Sequence, residues 1–161
     1  GFYADQFGSK DVTLGYKPMG IEIADQIGGE VDLLCASVGT GGALMGTLYG
    51  LKESGLSPKT VALEPLQSPL LTKGKGGSHK VEGIGVGFYP PFLDKQKIDE
   101  FLAIDQVEAF EMKNLLASEH GIFCGTSTGL NVVGAIQLAK QMSPNENVVT
   151  IGCDSGLKYL G

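Results

Sequence analysis

The chain has no tryptophan, only three cysteines and only two histidines. Its longest apolar runs reach about half of the roughly 20 residues that a membrane-spanning helix requires, so no membrane partner is expected. Cys35, Cys124 and Cys153 are odd in number, far apart and without a C-x-x-C pair. That pattern favours buried, reduced thiols in a cytoplasmic protein over the alternatives of a metal site or a disulfide. His79 and His120 have no ligand-like neighbours, and no metal is expected. His120, just before Gly121 at the end of a helical pattern, reads as a last-turn residue favoured by the helix dipole.

Positive charge is also in short supply. Twelve basic residues stand against eighteen acidic ones, giving a net charge of −6 and a pI near 4.8. Without a basic stripe to neutralise phosphates in number, a nucleic-acid partner is not expected, although one phosphate could bind locally. The opening GFYADQFGSK has no charged segment followed by an apolar one, so no targeting segment is expected. It also lacks an initiator methionine, and the left end is expected to be a cut.

What is present fits one folded domain: 161 residues, 42% apolar and 19% charged, with no low-complexity tract. Glycine is the outlier at 25 residues, which implies many tight turns. Short apolar runs at 31–36, 60–64, 101–104 and 147–152 read as strands. Helical spacing follows at 17–27, 43–55, 107–121 and 130–142, with Pro18 placed in a first turn and Asp105 with Glu108 approximating a capping box. Strands alternating with helices of 10 to 15 residues predict an α/β fold: three layers, a mostly parallel twisted sheet with helices on both faces. Residues 66–100, rich in glycine and proline, are an irregular excursion of the length that functional loops reach.

Two strand-to-helix turns carry candidate chemistry. Ser37-Val38-Gly39-Thr40-Gly41-Gly42-Ala43 follows a buried strand, where bare N–H groups at a helix N-terminus suit one phosphate. It is neither a Walker A loop nor a dinucleotide fingerprint, and a purely structural turn is the competing reading. Cys153-Asp154-Ser155-Gly156 follows the last strand. There the Ser155 hydroxyl either caps a short helix or reaches a ligand over the same sheet edge.

Six stretches together resemble the second half of the cysteine synthase family: FYADQF at 2–7, SVGTGGALMG at 37–46, LEPLQSPLL at 63–71, HKVEGIGVGFYPPFLD at 79–94, GTSTGLNVVGAIQLA at 125–139 and VVTIGCDSGLKYL at 148–160. That family includes cystathionine β-synthase and belongs to the fold-type II pyridoxal phosphate enzymes. The resemblance implies that Gly39, Thr40, Gly41, Gly42 and Ala43 form the phosphate cup of pyridoxal 5'-phosphate, and that Ser155 hydrogen-bonds the pyridine nitrogen. Gly83 and Ile84, within Glu82–Gly85, would line the substrate side; without the family likeness, that stretch reads as a bend in a long loop.

The resemblance further implies β-replacement of O-acetylserine by sulfide, giving cysteine and acetate. Related activities, cystathionine β-synthase or cysteine desulfhydrase, are the alternatives within enzymes; a non-catalytic phosphate- or partner-binding fragment is the alternative outside them. It implies a homodimer in complete form, a small amino-acid substrate and a cytoplasmic setting. Two departures stand out. Ala43 takes the place of the family's usual threonine, removing one hydroxyl donor, and residues 1–161 match only the C-terminal cofactor domain. None of the twelve lysines sits in the context of the cofactor-binding lysine, so no catalytic residue is assigned and the isolated chain is expected to be inactive.

Overall fold

The computed structural model describes residues 1 and 3–160; Phe2 of the FYADQF stretch and Gly161 lie outside the described residues. The elements run α1 (Asp11–Ile27), β1 (Leu33–Ser37), α2 (Gly42–Glu53), β2 (Lys59–Pro65), α3 (Leu70–Lys73), β3 (Glu100–Ile104), α4 (Gln106–His120), α5 (Thr126–Ala139) and β4 (Val148–Thr150). Short 3-10 turns cover Lys95–Lys97 and Gly156–Tyr159.

The four strands form one parallel sheet in the order β3-β2-β1-β4. In register, Cys35 lies between Val61 of β2 and Thr150 of β4. Because side chains alternate along a strand, β1 serves both faces. Leu34 and Ala36 pack with Leu44, Met45 and Leu48 of α2, against which Ile23 and Ala24 of α1 also pack. Leu33 and Cys35 pack with Ala109 of α4 and with Leu130 and Val133 of α5. The expected three-layer parallel architecture is what these contacts build.

The chain winds from β1 through α2 to β2 on one side, and reaches β4 on the other side only after α4 and α5. The strand order therefore switches direction between β1 and β4. In open α/β sheets, the crevice beyond the carboxyl ends at such a point is where ligands bind.

Four local expectations need correction. Helix α1 begins at Asp11, not Lys17, so Pro18 sits inside it; its missing N–H leaves the Leu14 carbonyl without a helical donor at a residue exposed to water. Helix α5 starts at Thr126, four residues before the apolar pattern becomes visible. Asp105 caps α4 by accepting from Val107 N at 2.8 Å, whereas Glu108 takes Gln137 as its partner, so only half of a capping box forms. Finally, among the described residues only eight glycines have positive φ. Several others permit helices to touch: a Cβ on Gly20 of α1 would strike Thr47 O of α2 and lie 2.9 Å from the Gly50 Cα.

Candidate functional site

At the end of β1 the chain turns sharply into α2. Gly41, the N-cap, has φ +88°, a conformation that glycine adopts without a side-chain penalty, and a Cβ there would lie 2.8 Å from Leu93 N. Thr40 Oγ1 accepts from Gly42 N at 3.2 Å, and Gly41 O accepts from Met45 N at 3.0 Å. The next two amides, Ala43 and Leu44, have no hydrogen-bond partner among the described residues. They are first-turn donors at the positive end of a 12-residue helix.

The excursion after β2 lies against this loop. Gly85 N donates to Val38 O at 3.1 Å, and Phe92 N donates to Thr40 O at 3.0 Å. A Cβ on Gly39 would strike Gly83 O, so the two glycine stretches meet backbone to backbone. Between them opens a cleft of about 410 Å³, lined by Gly39, Thr40, Gly41 and Ala43 from one wall and by Glu82, Gly83, Ile84 and Val86 from the other. A larger hollow of about 620 Å³ follows residues 3–12. It lies along the N-terminal segment and contains none of the loop residues, so the cleft at the strand ends is the candidate site.

The third wall comes from α5 and the end of β4. Asn131, fully buried on α5, accepts from Ser37 N at 2.7 Å and donates through Nδ2 to Ile151 O at 2.8 Å and to Cys153 Sγ at 3.3 Å. One side chain thereby ties together the two strand ends where the sheet order switches. Thr128 Oγ1 accepts from Cys153 N at 2.9 Å, fixing the same turn from the first turn of α5. Ser37, Ser127 and Cys153 all line the cleft. All three cysteines are free, but only Cys35 and Cys124 are buried, and Cys153 is exposed at the cleft. Burial pushes the Cys35 thiol up to about 11.

The electrostatics of the cleft are negative. Its charged lining residues are Glu82 and Asp154, and no lysine lines it. Tyr159 Oη donates to Asp154 Oδ2 at 2.6 Å, while Asp154 Oδ1 is buried without a partner among the described residues. That hydrogen bond, then burial and the Asp154 and Glu82 charges, push the Tyr159 hydroxyl up to about 12.

The structure thus brings Gly39, Thr40, Gly41, Ala43, Gly83 and Ile84 together around one cleft. Gly42 lies behind that lining, its N–H turned to Thr40. Ser155, next to Asp154 in the chain, is exposed and is not among the residues that line the cleft. Its Oγ accepts from Leu157 N at 3.3 Å as the cap of the last turn, which leaves its own O–H free to donate. Sequence reasoning missed Asn131 and Tyr159, because no local pattern marks them, and took Ser37 only as the start of the glycine turn. No cluster of His, Cys, Asp and Glu among the described residues could hold a metal ion, and no described helix is long and apolar enough to cross a membrane.

This fold is that of a pyridoxal-phosphate dependent enzyme, and the chain belongs to that family, whose profile matches residues 1–154. Among curated relatives, it is 39% identical over 144 residues to cysteine synthase B of Campylobacter jejuni, a match covering 89% of this chain and 48% of that protein. It is 35% identical over 145 residues to an O-acetylserine dependent cystathionine beta-synthase of Bacillus subtilis, covering 90% and 47%. The crystal structure of a cysteine synthase from Entamoeba histolytica superposes with a TM-score of 0.92 at 32% identity, over 99% of this chain and 48% of that one. The chain spans about half the length of the curated relatives it matches.

The residues present fit such a cofactor at its phosphate end. Two unpartnered amides at the start of α2 and a wall of glycines without side chains could take an anion. The cup supplies no cation, and Ala43 supplies no hydroxyl. The free O–H of Ser155 could meet a ring acceptor.

Proposed function

We propose that this chain is the cofactor domain of a cysteine synthase-like enzyme, with Gly39 to Ala43 as the phosphate cup, Ser155 as the partner of the pyridine nitrogen, and Gly83 and Ile84 on the substrate side. The observation that carries the reading is the pair of unpartnered amides, Ala43 N and Leu44 N, at the switch point of a sheet belonging to this family. Pyridoxal phosphate, when bound, supplies the electron sink for breaking bonds at the α- and β-carbons of an amino acid. The chain's own residues bind and orient. Backbone donors of α2 hold the phosphate, the Ser155 hydroxyl donates to an unprotonated ring nitrogen, and the 82–86 wall limits where the substrate side chain lies.

The reaction read from this arrangement is β-replacement on O-acetylserine, with sulfide entering and acetate leaving. The complete enzyme is read as a cytoplasmic homodimer whose remaining half brings the cofactor-binding lysine. A cystathionine β-synthase activity is the second reading, because the similarity to that class of relative is nearly as high. The test is to incubate the 161-residue chain with pyridoxal phosphate, reduce with borohydride and map the label by mass spectrometry. Weak, reversible binding with no stoichiometric lysine adduct is expected. One fully labelled lysine together with turnover of O-acetylserine would overturn the assignment, and no detectable uptake would leave the cup without support.

A further inference from the structure

The substrate-side wall has little conformational preference of its own: Gly83, Gly85 and Gly87 all take positive φ within five residues. Something outside that backbone must hold it against the phosphate cup. His79 is placed to do so. Its Nδ1 accepts from Val81 N at 3.3 Å, which puts the ring proton on Nε2, and Nε2–H then donates to Gly85 O at 3.1 Å. The ring lies flush with the backbone, since a Cβ on Gly85 would strike Nε2. Gly85 in turn passes the constraint on through its own N–H to Val38 O at 3.1 Å, the residue before the cup. Val81 and Ile84, both buried, anchor the same turn on its apolar side.

We propose that His79 is a positioning residue: its neutral imidazole closes the 79–85 turn and so sets where Gly83 and Ile84 stand in the cleft. This deepens the substrate-side role given to Gly83 and Ile84 and rests on that reading. The two ring nitrogens have different tasks, and two substitutions separate them. Asparagine at this position keeps an acceptor for the N–H two residues on, as in an Asx-turn, but cannot reach Gly85 O. Glutamine carries its amide NH₂ farther out, near the position of Nε2, and keeps the contact with Gly85.

The experiment measures amide exchange by NMR in the native protein and in its His79→Asn and His79→Gln variants. In the asparagine variant, exchange at Gly85 N–H is expected to quicken by about tenfold, the loss of roughly one hydrogen bond, and in the glutamine variant to stay within about threefold of wild type. The amides of Cys35 and Val61 in the sheet are expected to remain unchanged in both. Equal protection of Gly85 in all three proteins overturns the proposal, as does loss of sheet protection in parallel with Gly85, which would mark general destabilisation.

Kinetics supply the second readout. With the substitutions made in the complete enzyme, the KM for the amino-acid substrate should rise by about tenfold in the asparagine variant and recover in the glutamine variant, with pyridoxal phosphate affinity within about twofold of wild type throughout. A fall in cofactor affinity with unchanged KM also overturns the proposal. Should the wild-type protein take up no pyridoxal phosphate, the functional reading fails while the exchange rates still decide whether His79 holds the wall.

Discussion

Asn131 offers the sharpest test of how the cleft is held open. Its amide satisfies Ser37 N, Ile151 O and Cys153 Sγ from a fully buried position, so removing it orphans a donor on β1 and an acceptor beyond β4 together. A buried group left unsatisfied costs about 1–3 kcal/mol, and Ser37, beside the cleft, can recover part of that from water. Asn131→Ala is therefore expected to destabilise the protein by about 2–4 kcal/mol in urea unfolding, with the slope unchanged.

Asn131→Asp separates the two sides of the amide without opening a cavity. One carboxylate oxygen still accepts from Ser37 N, but the other faces the Ile151 carbonyl, acceptor against acceptor. Burial and that carbonyl should raise the carboxyl's folded pKa above its unfolded value of about 3.9. Stability linked to a raised pKa is present below the unfolded value and lost as pH rises through the folded one. The aspartate variant should thus recover stability on acidification relative to the alanine variant, as the carboxyl takes a proton and donates to Ile151 O. An alanine cost below about 0.5 kcal/mol, within the range of ordinary surface changes, or an aspartate variant with no such pH dependence, would refute the stapling role.

Ala43→Thr adds a hydroxyl at the first turn of α2, and pyridoxal phosphate should bind about tenfold tighter by fluorescence titration if Ala43 faces the phosphate, one charge-assisted hydrogen bond being worth roughly 1.5–3 kcal/mol. Tyr159, pushed up to about 12, should be the last tyrosine to ionise in an alkaline titration at 295 nm; the stability it contributes is complete below about pH 10 and disappears as pH rises through 12, and Tyr159→Phe should remove that step. Glu64 is 3% exposed and accepts from Leu71 N at 2.7 Å, Thr72 N at 2.8 Å and Thr72 Oγ1 at 2.7 Å. Glu64→Gln sets an NH₂ group against one of those donors and should cost about 2–3 kcal/mol in urea unfolding.

The four strands were legible because each is a short apolar run, and β1, buried on both faces, needs no alternation to announce itself. The glycine loop was legible because strand, turn and helix are local in sequence. Asn131 was not: its partners are 94 and 20 residues away, and a lone asparagine in a helical pattern carries no local cue. The first turn of α5, Thr126 to Gly129, was hidden for a related reason. Its residues are polar or glycine yet buried, because Gly129 lies directly against Ala109 O of α4. Cys153 was misread as buried because the apolar run before it continues past the end of β4 into the cleft.

Charge explains why the cleft reads as part of a larger site under the proposed function. An amino-acid substrate brings an ammonium group and a carboxylate, and the cofactor brings a dianionic phosphate. Glu82 and Asp154 are complementary only to the ammonium group. The phosphate faces amide dipoles and no lysine, and those dipoles act within the first turn of one helix. For the substrate carboxylate, the lining of this cleft provides no positive partner, and its two acids repel it. A productive site therefore requires donors that these residues do not supply. The same imbalance keeps Tyr159 protonated beside Asp154, as a neutral donor where a second anion would be repelled.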